Sequence, residues 1–590
     1  MELWTSTYGG TLLAAAVLLP FVGMLLGLLL GGRQVQRVAF VLMPLGLALA
    51  LSIAEAWLRE GQTLVYLLGG WAPPLGIALR ADGPAVAMLL AVAGVVCGIG
   101  IYAHADFGTP PGVKESRTAF SYWLLLLAVW GALNLVFVSG DLFTLYVALE
   151  LLTFAGVPLV CLAGSGETLR AALRYLLFAL CGSVLYLLGA VLLYGGYGTL
   201  DIPLLAIAVR PEPIAWTALA LMTAGLLAKT ALFPLHIWLP PAHGGAPAAA
   251  SAVLSALVIK GSWFLVLRLW LDVMPGVATL PSAQLLAGLG AAAIVVGSVV
   301  ALRQKRLKLL VAYSTVAQIG YLFLLFPLAF DATGAMALRD TAQAAGLLQA
   351  IAHATAKAGM FMAAGLVYAA LGHDRIDDLA GAARALPVAV LAFLVGGVAL
   401  MGVLPSGAYL AKKLLLASAD ASGQWWWTLV LQGGAAFTAA YVVLIAVRVL
   451  RRPAAPLNGL KPVSMLSQCA ALGLTLASLA LSLAAVWGLL PAELISNPLL
   501  PRELGNTLTM FALGALLASA LSRRSLFAAA RIDDAASDHE DGRPLRRATL
   551  ALGVAFEQAD AFLRRWSSAS LSLLTLAALF GGLLLVGAPK

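Results

Sequence analysis

The side chains with the clearest chemical potential in this sequence are ionisable groups inside long apolar stretches. They are Glu150, Lys229, Lys260, His353, Lys357, Lys412 and Lys413. A charged side chain at the centre of a membrane-spanning helix costs about 2.5 to 3.5 kcal/mol, so such residues commonly mark an ion or proton path. Histidine suits that task because it exchanges a proton near neutral pH. The set therefore predicts proton transfer within a membrane, except that Lys413, pointing away from Lys412 on the same helix, is expected at an interface.

The composition places these residues in a membrane protein. Of the 590 residues, 62% are hydrophobic and 11% are charged, whereas a soluble domain carries about 25% charged residues. A spanning helix needs about 20 apolar residues, and the chain supplies about sixteen such runs. Their approximate limits are 10–31, 37–57, 84–104, 118–138, 142–163, 171–194, 214–238, 246–270, 283–302, 308–330, 341–370, 388–418, 425–449, 464–490, 505–522 and 568–588. We therefore predict an all-α polytopic membrane protein with about 14 to 16 transmembrane helices.

Two of these runs, numbered seven and twelve, contain helix-breaking residues beside a lysine. Span seven has Pro234 after Lys229 and is expected to end at Pro240 and Pro241, and span twelve has Pro405 before Lys412. Proline removes a backbone donor and clashes with the preceding turn. Unwound backbone at membrane depth must line a cavity or be covered by protein. Broken segments at matching places in two halves are typical of inverted-repeat transporters.

The spacing of the two breaks predicts the internal repeat. Spans seven and twelve lie five apart, and an odd number of crossings makes a repeated unit enter the membrane from the opposite side. We therefore predict two inverted five-helix repeats, spans four to eight and nine to thirteen. The resulting divisions are N-terminal transmembrane helices at 1–111, the two repeats at 112–272 and 273–461, C-terminal transmembrane helices at 462–521, a polar and amphipathic segment at 522–569, and a last transmembrane helix at 570–590.

The buried charges fall into an order that allows a proton relay. Glu150 in span five can pair with Lys229, because opposite charges keep each other ionised. Lys260 in span eight leads toward His353 and Lys357, which lie at i, i+4 and so on one helix face. Lys412 completes the row. Breaking the pair of Glu150 and Lys229 is expected to release a proton that passes through internal water toward Lys412.

Two further segments leave alternatives open. His236 and His243, beside the prolines of span seven, fit either proton gating or loop stabilisation. The segment 522–569 contains an acidic patch and then an amphipathic pattern from Phe556 to Trp566. It fits either a helix along the membrane surface or a flexible linker before the last span.

The charge pattern predicts the orientation of the chain. Loops after odd-numbered spans are rich in Lys and Arg, such as Arg33 and Arg37, and such loops face the cytoplasm. Both termini are then expected outside. The first run, Thr11 to Leu30, has no cationic segment or cleavage site before it and is expected to be a span and not a signal peptide. We expect a multi-pass protein of the cell inner membrane, the plasma membrane of a bacterium.

Motifs for cofactors do not occur in this sequence. The cysteines stand in apolar runs without a CxxC or Cys/His ligand spacing, and no GxGxxG or Walker motif is present. We expect no metal, cofactor or disulfide, so any redox site belongs to another subunit. The net charge of +9 comes mostly from basic residues at helix ends, which meet lipid headgroups and do not indicate a nucleic-acid partner.

Several motifs, taken together, resemble one family. They are DLFTLYVALELLTF around Glu150, LLAKTALFPLHIWLP around Lys229, SALVIK at Lys260, LLVAYSTVAQIGY around Tyr313, HATAKAGMF around His353 and Lys357, and the PSG segment before Lys412. In this order they resemble the antiporter-like proton-translocating subunits of respiratory complex I, membrane-bound hydrogenases and Mrp-type cation/proton antiporters. The resemblance implies a 14-helix core, two inverted five-helix repeats, broken helices seven and twelve, and a Glu/Lys pair that feeds a central lysine and histidine axis.

The leading hypothesis is thus a proton-translocating subunit of a complex I-related or Mrp-type assembly. Its partners are expected to be other membrane subunits, the lipid bilayer and protons, with exchange of sodium or potassium left open. A subunit of an NADH:quinone oxidoreductase-type translocase is included in this hypothesis. The alternatives are the proton-flux subunit of an inorganic-carbon uptake complex, a stand-alone secondary transporter, and a scaffold that seals a complex without transporting.

Overall fold

The chain folds into a bundle of apolar helices. The computed structural model describes residues 5–109, 112–453, 459–485, 501–521 and 543–586. Within these ranges, 14 helices are long and apolar enough to cross a membrane. The protein is therefore a multi-pass membrane protein, as its composition predicts.

The N-terminal part contains three spanning helices and one element that the sequence analysis did not predict. The helices are α1 (Thr11–Leu30), α2 (Gln34–Glu60) and α3 (Gly83–Asp106). Between α2 and α3, strand β1 (Leu64–Leu67) pairs antiparallel with β2 (Ala78–Ala81), with Leu64 opposite Ala81. Strands of four residues are too short to show a clear alternating pattern in the sequence.

The first predicted repeat contains three continuous spans, a broken span and a further span. The elements are α4 (Arg117–Val138), α5 (Leu142–Cys161), α6 (Gly166–Tyr197), the short α7 (Ile202–Ala208), α8 (Pro213–Thr230), α9 (Leu239–Gly245), α10 (Ala248–Val253), a π-helical turn (Leu254–Val258), α11 (Ile259–Arg268) and a second π-helical turn (Leu269–Val273). The segment Ala248–Val273 forms one span, and the two parts α8 and α9 flank the break in span seven.

The second predicted repeat has the same order of continuous and broken spans. The elements are α12 (Leu280–Leu302), α13 (Leu307–Tyr321), α14 (Leu325–Leu328), α15 (Arg339–Leu371), α16 (Ala382–Ala385), α17 (Pro387–Leu400), α18 (Gly407–Ala421) and α19 (Trp425–Leu450). The predicted span twelve is divided between α17 and α18. The matching order agrees with a five-helix repeat, and the inverted relation of the two units stays a prediction.

The C-terminal part adds α20 (Met465–Ala480), α21 (Pro501–Leu521), α22 (Arg543–Leu563) and α23 (Trp566–Val586). The predicted amphipathic helix exists, but it ends at Leu563 and the last span begins at Trp566, earlier than expected. Arg303 binds Glu557 of α22 at 3.2 Å, and α23 packs against α8. The linker alternative is therefore wrong for α22, which is a docked helix, and the acidic patch of this segment lies outside the described residues.

Candidate functional site

The break in span seven comes directly after Lys229. Helix α8 ends at Thr230, and Ala231 has a left-handed backbone with φ of 59°. The chain then turns until α9 begins at Leu239, with Pro240 in its first turn. The expectation that Pro240 and Pro241 end the span was wrong, because proline lacks only a donor that is unused in the first turn of a helix. The break thus separates two helical parts and leaves Lys229 at the end of the first.

Lys229 lies in a buried polar site formed by three helices. Its Nζ donates to Glu150 Oε1 of α5 at 3.1 Å and to Thr153 Oγ1 at 3.1 Å. It also donates to Ser183 of α6, whose hydroxyl donates in turn to Glu150. The side chains of Lys229 and Glu150 are only 6% and 13% exposed. The predicted pair is therefore present, and two hydroxyl groups that the sequence analysis did not select complete it.

The close crossing of α6 and α8 brings these groups together. A β-carbon at Gly182 would lie 2.5 Å from the carbonyl oxygen of Gly225, which is closer than nonbonded atoms approach. Glycine at both positions lets the two backbones touch and places Ser183 against Lys229. Thr153 is detectable from the sequence, because it follows Glu150 by three residues and so shares its helix face.

Lys260 and His353 form the second contact in the row. Lys260 is on α11, just after a π-helical turn, and its Nζ donates to the carbonyl oxygen of Ser255 at 2.8 Å. The same Nζ is hydrogen-bonded to Nδ1 of His353 on α15. Both side chains are fully buried. A hydrogen bond between an amine and an imidazole nitrogen contains one proton, so this pair can hold a proton that either residue releases.

Two separate pairs of hydroxyl groups lie near these lysines. Thr230, next to Lys229, is hydrogen-bonded to Ser262 of α11 at 2.9 Å. Further along, Ser255 is hydrogen-bonded to Thr315 of α13 at 3.0 Å. Groups of this kind can order water between proton-exchanging residues.

Lys357 lies one helical turn after His353 on α15 but contacts a different helix. Its Nζ donates to Ser314 Oγ of α13 at 2.5 Å and approaches the Tyr441 ring centroid to 5.9 Å. His353 and Lys357 therefore share one helix face, as predicted. His353 contacts α11, and Lys357 contacts α13.

The second break lies beside Lys412. Helix α17 ends at Leu400, Gly402 has φ of 73°, and the Ser406 hydroxyl accepts from Tyr409 N to cap α18. The aliphatic part of Lys412 packs beside Gly402. Lys412 and Gln349 of α15 line one small cavity. Gln349 lies on the same helix as His353 and Lys357, so this cavity borders the helix that carries the central residues of the predicted row.

The histidines near the first break have different surroundings. His236 is buried and its Nε2 lies 2.8 Å from Asp560 Oδ1 of α22, 324 residues away. His243 is buried and stacks on Phe361, with ring centroids 4.6 Å apart. Nothing in the sequence pattern indicates Asp560, because an acidic residue on an amphipathic helix is usually exposed.

Comparison with known proteins places these residues in one family. Residues 139–438, just over half of the chain, match the family described as NADH:quinone oxidoreductase/Mrp antiporter, TM. The chain belongs to this family. The matched region contains every residue from Glu150 to Lys412 that the site comprises.

Relatives of both kinds named in that description share this similarity. The chain is 33% identical over 396 residues to the NADH-quinone oxidoreductase subunit N of Desulforudis audaxviator, covering 66% of this chain and 76% of that protein. It is 28% identical over 413 residues to a Na(+)/H(+) antiporter subunit of Alkalihalophilus pseudofirmus, covering 68% of this chain and 79% of that protein. A chain in the structure of the Mrp complex from Dietzia sp. superposes with a TM-score of 0.71 at 23% identity, covering 86% of this chain and 98% of that chain. This last likeness establishes the shared fold.

Proposed function

We propose that this chain is a proton-translocating, antiporter-like membrane subunit of a complex I-related or Mrp-type assembly. The observation that carries the proposal is the buried ion pair of Lys229 and Glu150, 3.1 Å apart, at the point where span seven breaks. Removing one partner of a buried ion pair leaves an uncompensated charge. If a movement of the broken helix separates the two groups, the ammonium ion of Lys229 becomes unfavourable. This cost favours release of its proton.

The proton path follows from the contacts of the buried groups. Lys229, separated from Glu150, releases its proton toward Lys260 by way of water ordered at Thr230 and Ser262. The Lys260 and His353 pair accepts it and holds it in the shared hydrogen bond. The hydroxyl groups of Ser255 and Thr315 extend the path toward Lys357, and Lys412 at the second break receives the proton last.

The assembly and location rest on the relatives. The oxidoreductase and antiporter proteins that the chain resembles are named as subunits of larger enzymes or antiporters. We infer that this chain also works with other membrane subunits, in the inner membrane of a bacterial cell. Oxidation of a reduced substrate, where the assembly performs one, is the task of another subunit.

The test is proton translocation by Lys229→Ala in the assembled complex. Everted membrane vesicles receive a respiratory pulse or a cation gradient, and a pH-sensitive dye reports acidification of the lumen. We expect acidification to fall to background while the amount of assembled complex is unchanged, because removal of the proton-carrying amine interrupts the path. Lys413→Ala, at the lysine next to Lys412, is the control and is expected to keep the wild-type rate. Normal acidification by Lys229→Ala would overturn the proposal.

A further inference from the structure

Asp560 is a buried carboxylate that the proton path described above does not use. It lies on α22, near the C-terminus, and is only 2% exposed. Its Oδ1 is 2.8 Å from His236 Nε2, and its Oδ2 accepts from Tyr313 of α13 and from Arg564 Nε, each at 2.8 Å. Burying a carboxylate costs free energy unless partners compensate its charge. Asp560 has two partners from distant parts of the chain, His236 and Tyr313, and one, Arg564, four residues further on.

His236 connects this carboxylate to the break in span seven. It lies between α8 and α9, in the turn that follows Lys229. Its ring is fully buried, and its Nδ1 has no hydrogen-bond partner among the described residues. Buried polar nitrogens are nearly always paired, so Nδ1 needs a partner, a water molecule or an added proton, that the described side chains do not supply. The second nitrogen of His236 is thus available for a proton.

An open cavity reaches this cluster from the side that the loop charges predict to be cytoplasmic. Its volume is about 740 Å³, and its inner wall includes Asp560, Tyr313, Pro240 and Pro241. Besides Asp560, its charged lining residues are Glu167, Arg170, Arg174, Arg306, Glu557 and Arg564. Water in this cavity can therefore reach Asp560, and the fully buried ring of His236 lies behind that carboxylate. Helix α22 forms one wall of the entrance.

The carboxylate determines which nitrogen of His236 is basic. Burial alone would raise the pKa of Asp560, but the hydrogen bond and charge of His236, followed by Arg564 and Tyr313, outweigh burial and lower this pKa below its ordinary value. Asp560 is therefore an anion at neutral pH and accepts the hydrogen of Nε2. A hydrogen bond at one ring nitrogen leaves the other as the proton acceptor.

We propose that Asp560 is a positioning residue for proton uptake: it holds His236 with its hydrogen on Nε2, so that the buried Nδ1 accepts a proton that enters from the side of the cavity and delivers it into the break beside Lys229. The hydronium becomes water as Nδ1 is protonated, and the imidazolium later returns the proton from Nδ1 to the next acceptor, while Nε2 keeps its hydrogen. Asp560 neutralises the imidazolium in between. The C-terminal helix is thereby part of the proton entrance, and the inference rests on the proposed function.

A structural role alone does not account for this arrangement. Glu557, one turn before Asp560, already docks α22 through Arg303 at 3.2 Å, and α23 anchors the C-terminal part against α8. The groups that act on the pair directly are Tyr313 from α13 and Arg564, which directly follows α22. Glu557 of α22 and Arg174 of α6 act only on these two neighbours, Glu557 on Tyr313 and Arg174 on Arg564. Glu557 therefore accounts for the docking of α22, and Asp560 is left for proton uptake.

The experiment compares pH profiles of proton translocation in vesicles that contain the full chain in its complex. In Asp560→Asn the amide cannot stabilise the imidazolium, so we expect the alkaline limb of the profile to move to lower pH by about one unit. Asp560→Glu keeps the carboxylate and is expected to retain much of the wild-type limb. Glu557→Gln, the matched control on the same helix, is expected to keep the wild-type profile.

Two results would overturn the inference. One is a wild-type alkaline limb in Asp560→Asn, and the other is an equal loss of rate at every pH in Asp560→Asn and Glu557→Gln, as docking alone predicts.

If Asp560→Asn does not accumulate in the membrane, Arg564→Gln tests the same claim with the opposite sign. Loss of that positive charge is expected to move the limb to higher pH, and an unmoved limb would contradict the inference. Lys229→Ala distinguishes the two proposals. If Lys229→Ala is inactive and Asp560→Asn has a wild-type pH profile, the proposed function stands and only the inference about Asp560 is wrong.

Discussion

Lys229 and Lys260 are both buried lysines at irregular points of their helices, but they differ in the charge of their partners. Lys229 contacts a carboxylate and two hydroxyl groups. The contacts that the described residues give Lys260 are neutral, namely a backbone carbonyl and the ring of His353. In a buried site an ammonium ion is more stable beside a carboxylate than beside neutral groups, because the opposite charge offsets part of the cost of desolvation.

This difference assigns separate tasks to the two lysines. In the proposed function, Lys229 releases its proton when the broken helix changes its distance to Glu150, so it is the controlled step. Lys260, hydrogen-bonded to His353, is the transfer step of that proposal. The comparison predicts that charge is decisive at the first site and that an exchangeable proton is decisive at the second.

After the loss expected for Lys229→Ala, the largest effect is expected at Lys260, where arginine separates proton exchange from positive charge. Lys260→Met removes the proton, and Lys260→Arg keeps the positive charge but does not release a proton, because arginine stays protonated in proteins. We expect both variants to lower the translocation rate by about a hundredfold, the scale of a lost acid–base group. Dye acidification in vesicles measures the rate. Normal translocation by Lys260→Arg would show that only the charge matters there.

A smaller effect is expected from Glu150→Gln at the charge-controlled site. Without the carboxylate, the ammonium form of Lys229 is less stable, so translocation is expected to slow about tenfold and its pH optimum to move to lower pH. The pH–rate profile in vesicles measures both changes. Glu55→Gln, at a carboxylate that is 61% exposed and pairs with Arg59, is the control. An unchanged profile in Glu150→Gln would contradict the pairing.

The smallest effect is expected from Ser183→Ala. The Ser183 hydroxyl contacts both Lys229 and Glu150, and loss of one such hydrogen bond is worth about 1 kcal/mol, or about a fivefold change in rate. The variant is expected to slow translocation without moving the pH optimum, because the carboxylate remains. A shift as large as that of Glu150→Gln would mean that the hydroxyl and not the carboxylate controls Lys229.

The sequence predicts local features of this molecule better than distant contacts. Apolar runs give the spans, proline and glycine give the breaks at Pro234 and Pro405, and opposite charges in neighbouring spans give the pair of Glu150 and Lys229. The spans and breaks depend on residues within one or two helical turns. The ion pair is predictable because few other opposite charges lie within the membrane.

Contacts made by common residues across the bundle could not be predicted in the same way. Asp560 reaches His236 from 324 residues away, and one aspartate on an amphipathic helix resembles any exposed one. Ser183 and Ser255 are ordinary hydroxyl residues until the Gly182 crossing or a π-helical turn places them beside a lysine. The short helix at Pro240 was misjudged because proline both ends helices and begins them, and only the backbone before it decides between the two.

The most direct test of the relay is a double-mutant cycle of Glu150→Gln and Ser183→Ala, because neither single variant is expected to reach background. The initial rate of proton translocation is measured in vesicles with matched amounts of complex. Residues that act as one unit give non-additive losses. The account predicts that the double variant is slower than Glu150→Gln by much less than the factor of Ser183→Ala, because both residues act through Lys229. Losses that multiply, with the double variant slower than Glu150→Gln by the full factor of Ser183→Ala, would contradict the account.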